Sequence, residues 1–250
     1  MSEPSAAGGN GGGNGSAPAF TRALVVSAHP DDPEFLFGAA VASLVEAGTR
    51  VGYVVCSDGA SGSRDAEAPR AAIAAVREEE QRAAARSLGV EAVAFLGFAD
   101  GRLAPDDALR TGIAREIRRF RPELVITHFP RRALGIPIPA SHPDHVAVGE
   151  AALAAVFPDA SNARVVPSLL REGLQPHRVR EVWIPGYEGS DHFVDATPFM
   201  DRKIAAIQCH GSQVGGADPR ESLAWVYGWM RGAGGAAGCE YAENYKRITL

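Results

Sequence analysis

Short apolar runs alternate with helix-length apolar patterns through much of this chain, and this alternation constrains the fold more than any other feature. Each run has the length of a buried strand, and a longer stretch with helical spacing follows it. Such alternation favours a parallel sheet covered by helices. The predicted strands lie at 23–27, 51–56, 92–96 and 124–128, and the predicted helices at 34–47, 69–88, 107–120 and 143–157.

The pattern loosens after Pro158. Residues 1–18 are mostly Gly, Asn, Ser, Ala and Pro, so they offer little to bury and are expected to form a disordered tail. The expected fold class is α/β, with a Rossmann-like, mostly parallel sheet, helices on both faces and a smaller C-terminal cap region in a single domain at 19–250. Later strands are predicted at 180–184 and 193–194, later helices at 198–210 and 225–229, and a Gly/Ala loop at 232–238.

Charge and cysteine content exclude several classes of protein. The formal net charge of -5 argues against a nucleic-acid partner, because basic residues are not in excess. No apolar run reaches the roughly 18 residues of a membrane span, and the start of the chain lacks the pattern of a signal peptide. Cys56, Cys209 and Cys239 are odd in number and far apart, which is typical of a reducing compartment. We therefore expect a cytoplasmic protein without a membrane partner. The sequence leaves open whether the protein forms a homo-oligomer.

Polar residues crowd the end of the first predicted strand. His29, Asp31 and Asp32 lie within four residues, directly before the first helix. Open α/β sheets build their sites at such strand ends. A catalytic zinc ion takes three N or O ligands and keeps a position for water, so His29 and Asp32 can be ligands while Asp31 serves as the base for that water. The alternative is a solvated turn in which Asp31 or Asp32 only caps the helix.

A second His-Pro-Asp cluster follows the fourth predicted strand and opens the next helix. Ser141 is a fitting N-cap, with Asp144 three residues further on. His142 and His145 are three apart and share one helical face. The pair suits metal ligation, or one ligand beside one acid-base group.

The two clusters together resemble the signature of the PIG-L/LmbE-like zinc deacetylases, which remove acetyl groups from N-acetylglucosamine units. The likeness extends over most of the chain from about Ala23 to Leu250. Supporting motifs are Cys56-Ser57-Asp58-Gly59, Arg77-Glu78-Glu79-Glu80, Phe98-Ala99-Asp100-Gly101, Lys203 with Cys209-His210-Gly211-Ser212-Gln213, and Tyr241-Ala242-Glu243-Asn244-Tyr245.

The resemblance implies a role for each residue of the two clusters. It makes His29, Asp32 and His145 the ligands of Zn²⁺, and it leaves open whether another divalent metal such as Fe²⁺ occupies the site instead. It makes Asp31 the general base and His142 the assisting acid. Asp144 is expected to orient the His142 ring and to raise its pKa.

The same resemblance carries over contacts to a small amino-sugar substrate. Arg77 and Asp100 are expected to face the cleft. Asp58 either holds sugar hydroxyls or caps a turn, and His210 is either a cleft residue or a satisfied structural histidine. His128 ends the fourth strand but matches no ligand position of the family.

The expected reaction is hydrolysis of the acetamide of an N-acetylglucosamine-type sugar or its conjugate. Amide cleavage in a thiol-sugar conjugate, or hydration of an unsaturated acid, is the alternative with the same metal site, and a sugar-binding module is a third. Some family members carry an oxyanion-supporting tyrosine just before the second cluster, where this chain has Ala140 and Ser141. The loop at 131–139 must then supply an equivalent, or His142 carries more of that role.

Overall fold

The computed structural model describes residues 19–215 and 218–250, and the predicted tail at 1–18 lies outside this range. Its centre is a seven-stranded sheet with the order β3-β2-β1-β4-β5-β7-β6. Neighbouring strands from β3 to β5 run parallel, whereas β7 is antiparallel to both β5 and β6. The strands are β1 Arg22–Ser27, β2 Arg50–Ser57, β3 Ala92–Phe98, β4 Leu124–Thr127, β5 Glu181–Pro185, β6 His192–Asp195 and β7 Ala242–Thr249.

The helices cover both faces of the sheet, as the sequence predicted. They are α1 Asp32–Glu46, α2 Arg70–Leu88, α3 Asp107–Phe120, α4 Pro143–Ala154, α5 Pro167–Arg171, α6 Met200–Gln208, α7 Pro219–Ser222 and α8 Ala224–Ala237. Short 3₁₀ helices occupy Ile138–Ser141 and Thr197–Phe199, and a π-helical segment at Ala155–Ala160 continues from α4.

Strand β1 shows why both faces are covered. Leu24 and Val26 pack in one apolar cluster with α3 and α4, while Ala23 and Val25 pack in another with α1, α2 and α6. A strand buried on both sides reads as a continuous apolar run, which is typical of a parallel sheet. The α/β class with a mostly parallel sheet is therefore confirmed.

In the C-terminal region one local prediction was wrong and one strand was missed. The predicted Gly/Ala loop at 232–238 belongs to α8, which ends where Gly238 adopts a φ of 78°. Gly234 lies so close to the turn after this helix that a Cβ would come within 2.5 Å of the Glu240 carbonyl oxygen. Strand β7 was not predicted at all, because polar residues such as Glu243 and Lys246 interrupt its apolar pattern.

No helix in the described ranges combines the length and the apolar character needed to cross a membrane.

Candidate active site

The two histidine clusters meet at the carboxyl edge of the sheet, between β1 and β4. These strands are neighbours, and the chain leaves them toward opposite halves of the sheet. Such a switch point opens a crevice between the following loops. His29 lies two residues after the end of β1, and α1 begins at Asp32. From the β4 side, α4 contributes His145 in its first turn.

The side chains of His29, Asp32 and His145 converge on one another. Nδ1 of His29 lies 3.2 Å from Oδ2 of Asp32, and Nε2 of His145 lies 3.0 Å from Oδ1 of Asp32. One ligand atom from each residue falls within 4.8 Å of the others. The structure thus brings together the three residues predicted to bind metal, and their role as ligands stays a prediction.

The chemistry of this group fits a divalent cation. Bonds of about 2.0–2.2 Å to nitrogen and oxygen place the ligands of a tetrahedral ion about 3.4 Å apart, close to the separations seen here. Burial on its own would raise the pKa of Asp32, but His145, His128 and His29 hold that pKa well below its usual range. The buried Nδ1 of His145 has no hydrogen-bond partner among the described residues. The carboxylate therefore stays ionised and available to a metal.

The carboxylates around His29 strengthen the negative character of the site. Burial lowers the pKa of His29, but Asp32, Asp100 and Asp144 outweigh it and raise this pKa to about 12. Nε2 of His29 lies 3.2 Å from Oδ2 of Asp144 and 3.4 Å from Oδ1 of Asp100. A proton on Nε2 satisfies these carboxylates, and a metal would have to displace the second proton, on Nδ1, to form a carboxylate–histidine–metal arrangement.

The Asp144 carboxylate therefore contacts His29, whereas we expected it to orient the ring of His142. Its carboxylate accepts hydrogen bonds from the amides of Gly101 and Leu103 and faces His29, whereas only its backbone amide reaches Nδ1 of His142, at 3.2 Å. Burial and the neighbouring His29 and His145 lower the pKa of His142, and the opposing influence of Asp144 is too small to reverse this. Asp144 thus acts on the pKa of His142 in the predicted direction, but the net shift of this pKa is downward.

The start of α4 also differs from its sequence pattern. His142, not Ser141, occupies the N-cap position and accepts the amide hydrogen of Asp144 on its ring. The hydroxyl of Ser141 is buried and accepts from the amide of Ala133 instead. The 3₁₀ helix before α4 moves the cap by one residue, because it ends at Ser141.

Asp31 lies beside the ligand group, and its carboxylate binds an arginine instead of a histidine. Its carboxylate accepts from Nη2 of Arg77 at 2.8 Å. Burial raises the pKa of Asp31 to about 6, while the positive charge of Arg77 opposes this rise. The backbone of Asp31 adopts a φ of 94°, which is uncommon for a residue with a side chain.

The predicted substrate contacts are mostly occupied by contacts within the protein. Arg77 is buried, and its guanidinium donates to the carbonyls of Gly59 and Pro30 as well as to Asp31. Oδ1 of Asp58 accepts from the amides of Ala60 and Asp100, which supports the turn-capping alternative for this residue.

The other two predicted contacts, Asp100 and His210, are also buried. Oδ2 of Asp100 accepts from the amide of Ser61 at 2.9 Å. His210 has 0% exposed surface and lies 3.0 Å from Glu34. The structure contradicts a direct substrate contact for His210 and supports the alternative of a structural histidine.

Sequence reasoning gave no role at the site to His128 or Tyr187. Nε2 of His128 accepts the Ala28 amide hydrogen at 3.0 Å and lies 3.3 Å from Asp32, and its ring stacks on that of His145 at 4.2 Å. Tyr187 packs its ring against Phe129, and burial together with the charge of Asp32 raises its pKa to about 12. Both residues follow parallel strands at the carboxyl edge, which is the signal that would have found them.

Comparison with known proteins places this constellation in a family. A model of the PIG-L family, described as GlcNAc-PI de-N-acetylase, matches residues 24–156 and so contains both histidine clusters. The chain belongs to the PIG-L family. The resemblance inferred from the motifs is thereby confirmed, as is the class of enzyme that it implied, an N-deacetylase.

Individual relatives in the PIG-L family differ in the reaction named for them. The chain is 30% identical over 196 residues to a diacetylchitobiose deacetylase of Thermococcus kodakarensis, covering 77% of this chain and 70% of the relative. It is 32% identical over 199 residues to a 4-oxalmesaconate hydratase of Pseudomonas putida, covering 76% and 73%. The structure of N,N'-diacetylchitobiose deacetylase from Pyrococcus horikoshii matches with a TM-score of 0.84 and 26% identity, over 92% of this chain and 85% of that one.

Proposed function

We propose that this PIG-L protein is a zinc-dependent hydrolase that removes the acetyl group from an N-acetylglucosamine-type amino sugar or its conjugate. The observation that carries the proposal is the convergence of His29, Asp32 and His145 with a further carboxylate, Asp31, beside them. A module that only binds sugar needs no base next to a metal. The diacetylchitobiose deacetylases among the relatives support the substrate class.

In this proposal His29, Asp32 and His145 hold the ion. When bound there, zinc or another divalent metal supplies Lewis acidity toward the acetamide carbonyl and the attacking water. Asp144 keeps the proton of His29 on Nε2, so that Nδ1 is the ligand atom. Outer contacts of this kind orient a ligand imidazole and tune its basicity.

Asp31 is the proposed general base. Arg77 binds one oxygen of its carboxylate, Oδ2, and the other oxygen makes no hydrogen bond to the described residues. Burial favours the protonated form and Arg77 the ionised form, so the group can both accept a proton and release it. The water's proton passes to Asp31 and then to the departing amine.

His142 is the proposed donor to the oxyanion. Because Nδ1 accepts the Asp144 amide hydrogen, the proton of the neutral ring lies on Nε2. The His142 ring centroid is 5.0 Å from that of His29 and 5.4 Å from that of His145, so the ring borders the ligand group. A neutral imidazole donates a hydrogen bond without first binding a proton.

A second donor is needed where some family members have a tyrosine. The loop at 131–139 carries no hydroxyl side chain, and the Ser141 hydroxyl is engaged with Ala133. We assign this role to Tyr187, which follows β5 at the same edge of the sheet and packs its ring against Phe129, just after β4. The neighbouring turn is tied to β7, since Nδ2 of Asn244 donates to the Ser190 hydroxyl at 2.7 Å.

The test is acetate release by the zinc-loaded protein from a panel of N-acetyl sugars that includes N-acetylglucosamine, diacetylchitobiose and thiol-sugar conjugates. Turnover of at least one amino sugar, abolished by removal of the metal, is the expected result. The hydratase relative makes hydration of an unsaturated dicarboxylic acid the second candidate. Hydration without acetate release from any sugar in the panel would decide for that reaction.

A further inference from the structure

The backbone at Asp31 is held in a conformation that a residue with a side chain seldom adopts. Its φ of 94° and ψ of -31° lie on the left-handed side, although the residue is not glycine. Such geometry costs of the order of 1–3 kcal/mol and persists only where the surroundings hold it. Two residues one turn apart on α2 do so. Arg77 donates to the Asp31 carboxylate at 2.8 Å, and the Asp31 amide donates to Oε1 of Gln81 at 2.8 Å.

The direction of the Gln81 amide is set by its other neighbour. Nε2 of Gln81 donates to both oxygens of Glu34, at 3.0 and 3.1 Å. An ionised carboxylate only accepts hydrogen bonds, so the NH₂ end of the glutamine must face Glu34. Its oxygen must then face the Asp31 amide, which can only donate. The orientation of Gln81 is therefore determined by chemistry and not by shape.

The Glu34 carboxylate is held in turn from the far side. Nε2 of His210 lies 3.0 Å from Oε2 of Glu34. Glu34, Gln81 and His210 each have 0% exposed surface, so water does not compete for these bonds. A chain of hydrogen bonds thus runs from His210, which lies two residues beyond α6, through α1 and α2 to the backbone of Asp31, without including any of the three predicted metal ligands.

We propose that Gln81 is a positioning residue for Asp31, and that Glu34 and His210 act by fixing the direction of its amide. The inference rests on the proposed function, in which Asp31 is the general base. Without Gln81 the partly buried Asp31 amide has no partner, and the backbone can relax toward negative φ. That rotation carries the carboxylate away from the attacking water, and displacements of about 1 Å are enough to cost rate.

The test is Gln81→Met, which keeps the length of the side chain and removes both polar atoms. Metal content, KM and kcat are measured on the amino sugar that the wild type hydrolyses best, together with hydrogen exchange at the Asp31 amide. We expect full metal content, a KM within about twofold, a kcat lowered at least about tenfold, and exchange at Asp31 at least about tenfold faster.

Two further variants keep the test decisive. Leu169→Ala in α5 removes a buried side chain that packs in the cluster with α3 and α4, so it controls for lost stability and should leave kcat unchanged. Glu34→Gln keeps the shape of the side chain but allows the side-chain amide of Gln81 to flip. It should therefore lower kcat and speed hydrogen exchange at the Asp31 amide, and it provides the test even if Gln81→Met does not fold. A kcat within twofold of the wild type, or an Asp31 amide as protected as in the wild type, would overturn the inference. Failure of the proposed function gives a different result, because the wild type itself would then release no acetate. Hydrogen exchange at the Asp31 amide would still show whether Gln81 holds the backbone.

Discussion

Asp31 and Asp32 are adjacent in the chain, but their carboxylates face different partners. Asp32 lies among the imidazoles of His29, His128 and His145, whereas Asp31 is bound by Arg77. The positive φ at Asp31 separates the two directions. In the proposed function, metal binding and proton transfer belong to these two neighbouring residues, and mutation can separate the two roles.

We expect Asp31→Asn to retain the metal and to lose at least about a hundredfold in kcat, because the amide has the shape of the carboxylate without its basicity. Asp32→Asn should instead release the metal. Metal content and turnover measured side by side provide the check. If both variants kept the metal, or if Asp31→Asn turned over at nearly the wild-type rate, the assignment would be wrong.

Asp144→Asn tests the outer contact to His29. The asparagine amide has one acceptor oxygen, so it can keep only one of the hydrogen bonds from Gly101 and Leu103, and it removes the charge that faces Nε2 of His29. We expect metal affinity to fall about 10–100-fold, as measured by competition with a chelator. A variant with unchanged metal affinity and a reduced kcat would favour the original expectation, in which Asp144 orients the ring of His142.

At the scale of elements, the site depends on how closely α4 approaches the end of β4. A Cβ on Gly149 would lie 2.6 Å from the carbonyl oxygen of His128 and 2.9 Å from Cα of Pro130, both backbone atoms that cannot turn aside. This close approach brings His145 on α4 into contact with His128. The glycine is therefore a packing requirement of the site.

Gly149→Ala should destabilise the fold by about 1–3 kcal/mol and weaken metal binding, because α4 must move and takes His145 with it. Gly232→Ala is the matched control, since Gly232 is exposed in α8 and a Cβ there meets nothing within 4 Å. The control should be neutral or slightly stabilising. Urea unfolding and chelator competition on both variants give the answer, and equal effects in the two would contradict the packing argument.

A buried ion pair connects the C-terminal elements to α1. Oε1 of Glu243 on β7 lies 2.7 Å from Nζ of Lys203 on α6, and the same carboxylate accepts from the amides of Ala39 and Ala40 in α1. Lys203 and Glu243 have 0% and 2% exposed surface. The C-terminal elements α6 and β7 are thus joined to α1, the helix that begins at the site.

Lys203→Met should lower the free energy of unfolding by about 3–5 kcal/mol, because it leaves the Glu243 charge buried without its partner. The double variant Lys203→Met/Glu243→Leu should lose less than the sum of the two single losses. Lys246→Met, which breaks an exposed pair with Asp191, is the control and should have little effect. Additive losses in the double variant would show that the two residues do not act as a pair.

At the scale of the whole molecule, the site is assembled by contacts between distant parts of the chain. His29 and Asp144 are 115 residues apart, and Ala28 and His128 are 100 apart. An ion held by His29, Asp32 and His145 would bind only the folded chain, so its binding energy adds to folding stability.

Removal of the metal should therefore lower the melting temperature. At a free metal concentration about 100 times Kd the added stability is about 2.7 kcal/mol, which corresponds to several degrees for a chain of this size. Differential scanning fluorimetry with a chelator, followed by zinc, should show a reversible shift. His145→Ala should show no such shift, and an equal response in that variant would place the metal elsewhere.

The sequence by itself determined the parallel sheet, the helices around it and the residues that converge at its edge. These follow from local periodicity and from the rule that strand ends share one edge, neither of which needs long-range information. The tertiary structure decided which partner each residue takes: His29 for Asp144, Glu34 for His210, and Gln81 for the Asp31 amide. It also decided that β7 is a strand, since Glu243 and Lys246 find their partners Lys203 and Asp191 in distant segments of the chain. Hydrogen bonds are directional and depend on separations of a few tenths of an ångström, so packing between distant segments sets them and residue order along the chain does not.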